Sequence, residues 1–437
     1  MSVQVPNVQN RGWAAKFFTI WGGQALSLLG SQLVQFALIW WLTKTTGSAT
    51  VLATASLVGL LPQVFLMPIA GAMVDRMNRR VVMIAADSLI ALATLVLAFL
   101  FWQGLVQVWH IYTLMFVRSA LGGFHWAAMQ ASTTLMVPKE HLARIQGFNQ
   151  ILNGGLSIVG APLGALMLEW LPMQGILGID VVTALLAVIP LLFIPIPQPQ
   201  AAPAAEGATG AVLVWQDFKA GLRYTFHWPG LMMILGMATL INLILTPAFS
   251  LLPILVTKHF EGGAIHLAWL ESIYGIGMIA GGVLLGVWGG FKRRVLTTML
   301  GLVALGVGCV VVGLTPASTF PLAVGALLWL GIASPITNGP LFAAVQAVVE
   351  PEMQGRVFTL INAFASAMSP LGLLVAGPVA DRFGVPIWFV IGGVVTIAMG
   401  VIGRLTPAVM NFEDGPPGRR VSPEGPVLAA PAAESAD

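Results

Sequence analysis

Long apolar stretches, each close to the roughly 20 residues a helix needs to cross hydrocarbon, follow one another along almost the whole of this 437-residue chain. Twelve can be marked, at 15–42, 49–73, 80–103, 108–136, 146–170, 174–196, 231–257, 263–288, 295–314, 318–348, 356–379 and 385–408. Barrel-forming strands would alternate apolar and polar residues over about 10 positions; these runs are continuous and rich in Leu, Ala, Gly and Met. Helices satisfy every backbone N–H and C=O within their own segment, so the expected fold is all-α and polytopic. Charged residues make up only 8% of the chain against 57% apolar, which leaves too little polar surface for water to be its main solvent.

Six runs precede residues 197–211, PQPQAAPAAEGATGA, and six follow. That Pro/Ala/Gly stretch cannot bury a core and reads as a connector. Beyond it, Trp215, Phe218, Leu222 and Phe226 fall on one helical side with Gln216, Lys219 and Arg223 elsewhere, the pattern of a helix lying in a membrane interface. The expected organisation is a six-helix bundle over 1–196, a linker with an interfacial helix over 197–230, a second bundle over 231–410, and a disordered Pro- and Ala-rich tail over 411–437. Arg11 and Lys16 precede a first run too long for a signal peptide and without a small-residue cleavage site, so it is expected to stay as a helix. Cys309 is the only cysteine, which excludes an internal disulfide and suits plain packing.

Lys and Arg set the orientation, since short cytoplasmic loops retain them. With the N-terminus inside, the cytoplasmic segments hold Arg11, Lys16, Arg76, Arg79, Arg80, Lys139, Arg144, Lys219, Arg223, Lys292, Arg293, Arg294, Arg356, Arg419 and Arg420, and the outer loops only Lys44, Lys258 and Arg382. An even number of spans then puts both termini in the cytoplasm, with the chain in the cell's inner (cytoplasmic) membrane. The net charge of +3 reflects this topology and implies no nucleic-acid partner.

The halves echo each other at an offset of 212–214 residues: MNRRV (77–81) answers FKRRV (291–295), and VPKEHLAR ending at Arg144 answers VEPEMQGR ending at Arg356. Just beyond each Arg, APLG (161–164) answers SPLG (369–372). Duplicated bundles around a central cavity can rock about one site, the basis of alternating access. One chain holding both halves is expected to work as a monomer on a small-molecule substrate.

GAMVDRMNRR at 71–80 resembles the loop signature of the major facilitator superfamily, with Gly71, Asp75, Arg76, Arg79 and Arg80 in place and Asn78 standing where the family has a second Gly. Asn accepts left-handed turn geometry, which would allow the exchange. The resemblance implies a conformational latch in which Asp75 faces the positive end of the eleventh helix near Arg356; the rival reading is that the arginines only fix topology. WWLTKTTGSATVLA (40–53), LPQVFLMPIAGAMVDR (61–76) and VVMIAADSL (81–89) resemble the macrolide-efflux and siderophore-exporter branch of that superfamily. This implies proton-driven export of small hydrophobic or amphipathic compounds, with an endogenous metabolite such as a siderophore, or uptake by symport, as alternatives.

Arg118 lies about ten residues into the fourth run, roughly 15 Å deep, and must face a cavity or a partner. LMFVRSALGG resembles the fourth-helix motif of the family's drug:proton antiporters at Leu114, Arg118 and Gly122 and departs from it at Leu121 and after Gly123. A structural ion pair and a transport role stand equal for Arg118. Asp87, Asp180 and Glu271 are candidate proton carriers, with Glu169 at a helix end. Asp87 reads equally as a partner of the loop arginines, and Asp180 and Glu271 as groups that reach toward outer water.

Gln24, Ser27, Ser31 and Gln35 form a polar face on the first helix that lipid would not tolerate. They are expected to line the cavity with Asn149, Asn153 and Asn242, or else to bond between helices. Gly160/Gly164 and Gly277/Gly281 have the spacing of close helix contacts; Trp40, Trp41 and Trp109 suit an interfacial belt. The histidines, His110, His125, His141, His227 and His266 among them, show no metal-ligand spacing and read as surface or packing residues. The sequence carries no phosphate-binding loop, zinc-protease motif or nucleophile elbow. Neither an enzyme nor a bound cofactor or metal is expected; the energy source would be the proton gradient.

Overall fold

The structure, a computed structural model, describes residues 12–74, 77–198, 219 and 221–415; the side chains of residues 67–69, 72, 139, 143, 351 and 352 lie outside the description. Twelve long helices organise it: α1 Trp13–Thr46, α2 Ala49–Val74, α3 Arg79–Trp102, α4 Val108–Met136, α5 Leu142–Trp170, α6 Met173–Phe193, α7 Pro229–Ser250, α8 Ala264–Trp288, α9 Arg294–Leu314, α10 Phe320–Val348, α11 Pro351–Phe383 and α12 Val385–Leu405. Eleven are long and apolar enough to cross a membrane by length and composition; α4 has the length but carries His110, Arg118 and His125. No strand occurs among the described residues.

Local chemistry sets the helix ends. Asn78 precedes α3 with φ −70°, and its side chain accepts from the backbone N–H of Arg80 (3.1 Å) and Val81 (3.3 Å). This corrects the left-handed turn expected there: Asn78 is an N-cap in extended backbone. Replacing Asn78 with Ala should cost about 1 kcal/mol and lower the unfolding midpoint in detergent. α1 stops at Gly47, whose φ of 58° is the left-handed conformation that favours glycine, with its N–H on Thr43 O at 2.9 Å. The seventh run, expected to be one helix to 257, is broken: Pro247 lies in its last turn, and a short helix, Leu252–Ile254, and a π-helical turn, Leu255–His259, follow.

The packing shows the internal repeat. α1 packs on α5 and α6, α2 on α4, and α3 on α4 and α6; six helices later α7 packs on α11 and α12, α8 on α10, and α9 on α10 and α12. The halves meet along α2/α11 and α5/α8, two seams that the same shift of six helices exchanges. In the C-terminal half, glycines bring the helices together: a Cβ on Gly277 would sit 2.4 Å from Leu328 O on α10, and one on Gly306 2.6 Å from Gly393 O on α12. The N-terminal half has such glycines too, at Gly23 and Gly30, and also carries buried charge.

Two expectations change near the linker and the tail. Residues 221–226 are helical and Trp228 is buried, while residues 199–218, including Trp215, Gln216 and Phe218, lie outside the described residues. Structure does not end at 411: Phe412 is fully buried and stacks on Trp228 with ring centroids 4.7 Å apart, and Glu413 accepts from the N–H of Val295 at 2.7 Å, at the start of α9. An aromatic ring and a helix-capping carboxylate tie this segment down.

Candidate functional site

Asp180 on α6 is only 1% exposed, and residues from three other helices converge on it. Arg118 on α4 donates from Nη1 to Oδ2 at 2.5 Å, with Nη2 3.5 Å from Oδ1. Ser31 Oγ on α1 donates to Oδ1 at 3.2 Å, and Thr94 Oγ1 on α3 accepts from Arg118 Nη1 at 3.0 Å and donates to Oδ2 at 3.3 Å. Two opposite charges taken out of water hold together only where such bonds also fill the remaining lone pairs. Gly30 lets α1 come this close, since a Cβ there would lie 3.2 Å from Asp180 Cα.

A second polar layer lies nearer the face at which α1 begins and α12 ends, here the terminal face. Asp87 on α3 is 6% exposed and accepts from Gln24 Nε2 on α1 at 3.0 Å. His125 Nε2 on α4 approaches the same oxygen, Asp87 Oδ2, to 3.5 Å. Among the described residues Asp87 is therefore tied to Gln24 and His125 and not to Arg79 or Arg80, and Asp180 is sealed inside the bundle instead of reaching toward water. His125, read from sequence as packing or surface, belongs to the site.

The polar face of α1 divides accordingly. Gln24 and Ser31 turn into the N-terminal bundle to meet the two carboxylates, Ser27 is buried between them, and Gln35 is half-buried. Asn149 accepts from Trp21 Nε1 at 2.8 Å, joining α5 to α1; Asn153 is exposed; Asn242 donates back to Ala238 O of its own helix at 3.0 Å. None of these is brought to the two layers. Glu271 on α8 is half-buried with no hydrogen bond or ion pair among the described residues, while its neighbour Ser272 donates across the seam to Ile158 O at 2.9 Å.

Of the loop-signature residues, Gly71 is half-buried in α2, and Asp75 and Arg76 lie outside the described residues. Arg79 Nη1 donates to Ala131 O at 3.0 Å, and Arg80 donates to Leu191 O and to Leu192 O. Both arginines thus bind carbonyls near the ends of α4 and α6 in their own half, where the helix dipole favours a cation.

On the opposite, distal face, Asp381 near the end of α11 crosses to the other half. Its carboxylate accepts from the N–H of Ala49 (2.7 Å) and Thr50 (2.9 Å) and from Ser48 Oγ (2.9 Å), so it caps α2. One turn earlier α11 passes so near that a Cβ on Gly377 would be 2.8 Å from Thr50 Cα. Asp381 was absent from the sequence candidates, although Gly377-x-x-x-Asp381-Arg382 repeats the spacing of Gly71-x-x-x-Asp75-Arg76. The signal for the two buried layers was also in the sequence: Gln24/Ser31, Asp87/Thr94 and Arg118/His125 are each seven residues apart.

Comparisons with known proteins agree with this architecture. The family model described as Major Facilitator Superfamily matches residues 20–373. Macrolide efflux protein A of Streptococcus pyogenes is 33% identical over 390 residues, which is 89% of this chain and 95% of that protein. The multidrug efflux pump Tap of Mycolicibacterium fortuitum is 26% identical over 400 residues, 88% of this chain and 94% of the pump. Among solved structures, a bacterial homolog of the human lysosomal transporter Spinster, inward-facing and unoccupied, aligns with a TM-score of 0.67 at 13% identity, covering 92% of this chain and 96% of that one.

Proposed function

The chain belongs to the major facilitator superfamily, a family of non-enzymatic membrane transporters, and on that premise we propose that it is a proton-driven exporter of small hydrophobic or amphipathic compounds, macrolides among them. The observation that carries the coupling is the Asp180–Arg118 pair. A carboxylate held by a guanidinium and by hydroxyls from two further helices ties its own protonation to the packing of α1, α3, α4 and α6. Protonating Asp180 removes the charge that holds Arg118, so proton binding and helix rearrangement become one event.

The distribution of Lys and Arg supports a cytoplasmic terminal face and both termini inside. The distal contacts of Asp381 and Gly377 then support a state sealed toward the outside. Alternating access follows from two symmetry-related seams, α2/α11 and α5/α8, which open at one face as they close at the other. Substrate class rests on the efflux relatives.

Purified protein in proteoliposomes, assayed by counterflow with a panel holding a macrolide, a cationic dye and a catecholate siderophore, tests the proposal. Exchange of macrolide without a gradient, and accumulation only with an imposed proton gradient that an ionophore abolishes, is the expected result. Accumulation that survives loss of the gradient would end the coupling claim, and movement of the siderophore alone would reassign the substrate.

A further inference from the structure

The two polar layers of the N-terminal bundle are in register. Gln24 to Ser31 on α1, Asp87 to Thr94 on α3 and Arg118 to His125 on α4 each span two helical turns, so about 10 Å separates the layers on three helices at once. α6 keeps the same register against α1: Gly23 packs on Ala187 and Gly30 on Asp180.

The positions between the layers on the same faces are Ser27, Ala91 and Gly122. All three are small. Ser27 is 8% exposed and its hydroxyl, not fully enclosed, makes no hydrogen bond among the described residues, and a Cβ on Gly122 would meet nothing within 4 Å. At the lower layer, His125 Nε2 is a buried nitrogen without a completed hydrogen bond, aimed at Asp87 Oδ2 3.5 Å away. Buried polar atoms are normally satisfied by protein or water. A gap with an unpartnered hydroxyl, an unpartnered imidazole nitrogen and room where a side chain would be is a place that water can occupy.

From this we infer that the N-terminal bundle holds a two-station proton path, Asp180/Arg118 to His125/Asp87, connected through water beside Ser27 and Gly122. The inference rests on the proton-driven reading above and adds to it a second station and a route. A proton taken up on Asp180 from the distal side breaks the bond to Arg118. It leaves as Arg118 re-engages, passes along water, and is accepted by His125 Nε2, where Asp87 stabilises the imidazolium. Release toward the terminal face returns His125 to its neutral form, so over a cycle one proton crosses and neither station changes. Away from their ends, α1, α3, α4 and α6 carry no other charged residue that faces these stations; α2 carries none among its described residues, and Glu271 lies across the seam on α8.

Three variants test the path at different points. Gly122→Leu fills the gap without touching a titratable group, Ser27→Ala removes the intermediate hydroxyl, and His125→Gln removes the second station while keeping a polar side chain. In proteoliposomes with radiolabelled erythromycin, gradient-driven accumulation should fall about tenfold in Gly122→Leu and His125→Gln, and in Gly122→Leu counterflow, which needs no net proton movement, should stay near wild type. Ser27→Ala should show a smaller loss of the same kind. Equal gradient response in wild type and variants overturns the path alone, leaving the coupling proposal standing. No gradient response in wild type overturns both. A parallel loss of counterflow and accumulation in all three variants would make the layers structural ties and overturn the path.

A pH jump on detergent-solubilised protein, followed with a soluble pH indicator, needs no substrate. The path requires a proton-uptake phase that His125→Gln reduces in amplitude and Gly122→Leu slows; uptake identical to wild type in both overturns it.

Discussion

Replacing Arg118 with Ala is expected to abolish gradient-driven transport and to cost about 3–5 kcal/mol of stability, because it leaves the Asp180 carboxylate buried without its counter-charge. Ser31 and Thr94 would still donate to Asp180, but two neutral hydroxyls do not replace a guanidinium. The informative control removes both charges. Arg118→Leu combined with Asp180→Asn should recover most of the lost stability, since no unpaired charge remains, yet should not recover the gradient response. Thermal unfolding in detergent and transport in proteoliposomes read the two effects separately. Stability that stays low in the double variant would mean that the pair matters through shape and not charge.

The second large effect belongs to the distal seam. Gly377→Leu should stop transport while leaving the protein inserted, because a side chain there meets the backbone of α2 at Thr50 and keeps the seam from closing. Replacing Asp381 with Asn should act in the same direction and more weakly: the amide oxygen still accepts from the N–H groups of Ala49 and Thr50, but the charge that complements the helix end is gone. A Gly377→Leu protein that transports normally would remove the seam from the mechanism.

Much of this fold could be read from residues alone, because membrane helices advertise themselves through length and apolarity. Eleven of the twelve helices were placed as single helices within a few residues of their ends; the exception, the seventh run, fails where Pro247 and a π-helical turn interrupt an apolar pattern that does not register the break. The tail is ordered over 411–415, against the disorder its composition implies, because one aromatic residue and one acidic cap, Phe412 and Glu413, outweigh the average.

The site was partly legible. That Arg118 must face inward followed from the cost of a bare charge in hydrocarbon, but its partner did not, since Asp180 lies on a helix 62 residues away whose rotation only packing decides. The polar stripe on α1 was visible as a face, and whether that face meets a cavity or neighbouring helices depends on the register of α3 and α6 against it. His125 carries no signal on its own. Set against Arg118 seven positions earlier, and beside the same spacing in Asp87/Thr94 and Gln24/Ser31, it becomes one rung of a ladder. Asp381 is hidden because the repeat of the signature carries Gly289 where Asp75 stands, so one latch is expected, while the spacing recurs at the end of α11 on the opposite face.

The cap of Asp381 on α2 has a pharmacological consequence. Its donors and acceptor come from the two halves, across the turn that joins α1 to α2 and the end of α11, where a protein binder can reach both at once. An antibody fragment raised against that composite epitope would staple the halves in one posture. Its potency would not depend on competing with whatever compound the transporter carries, so saturating substrate would give no escape from inhibition.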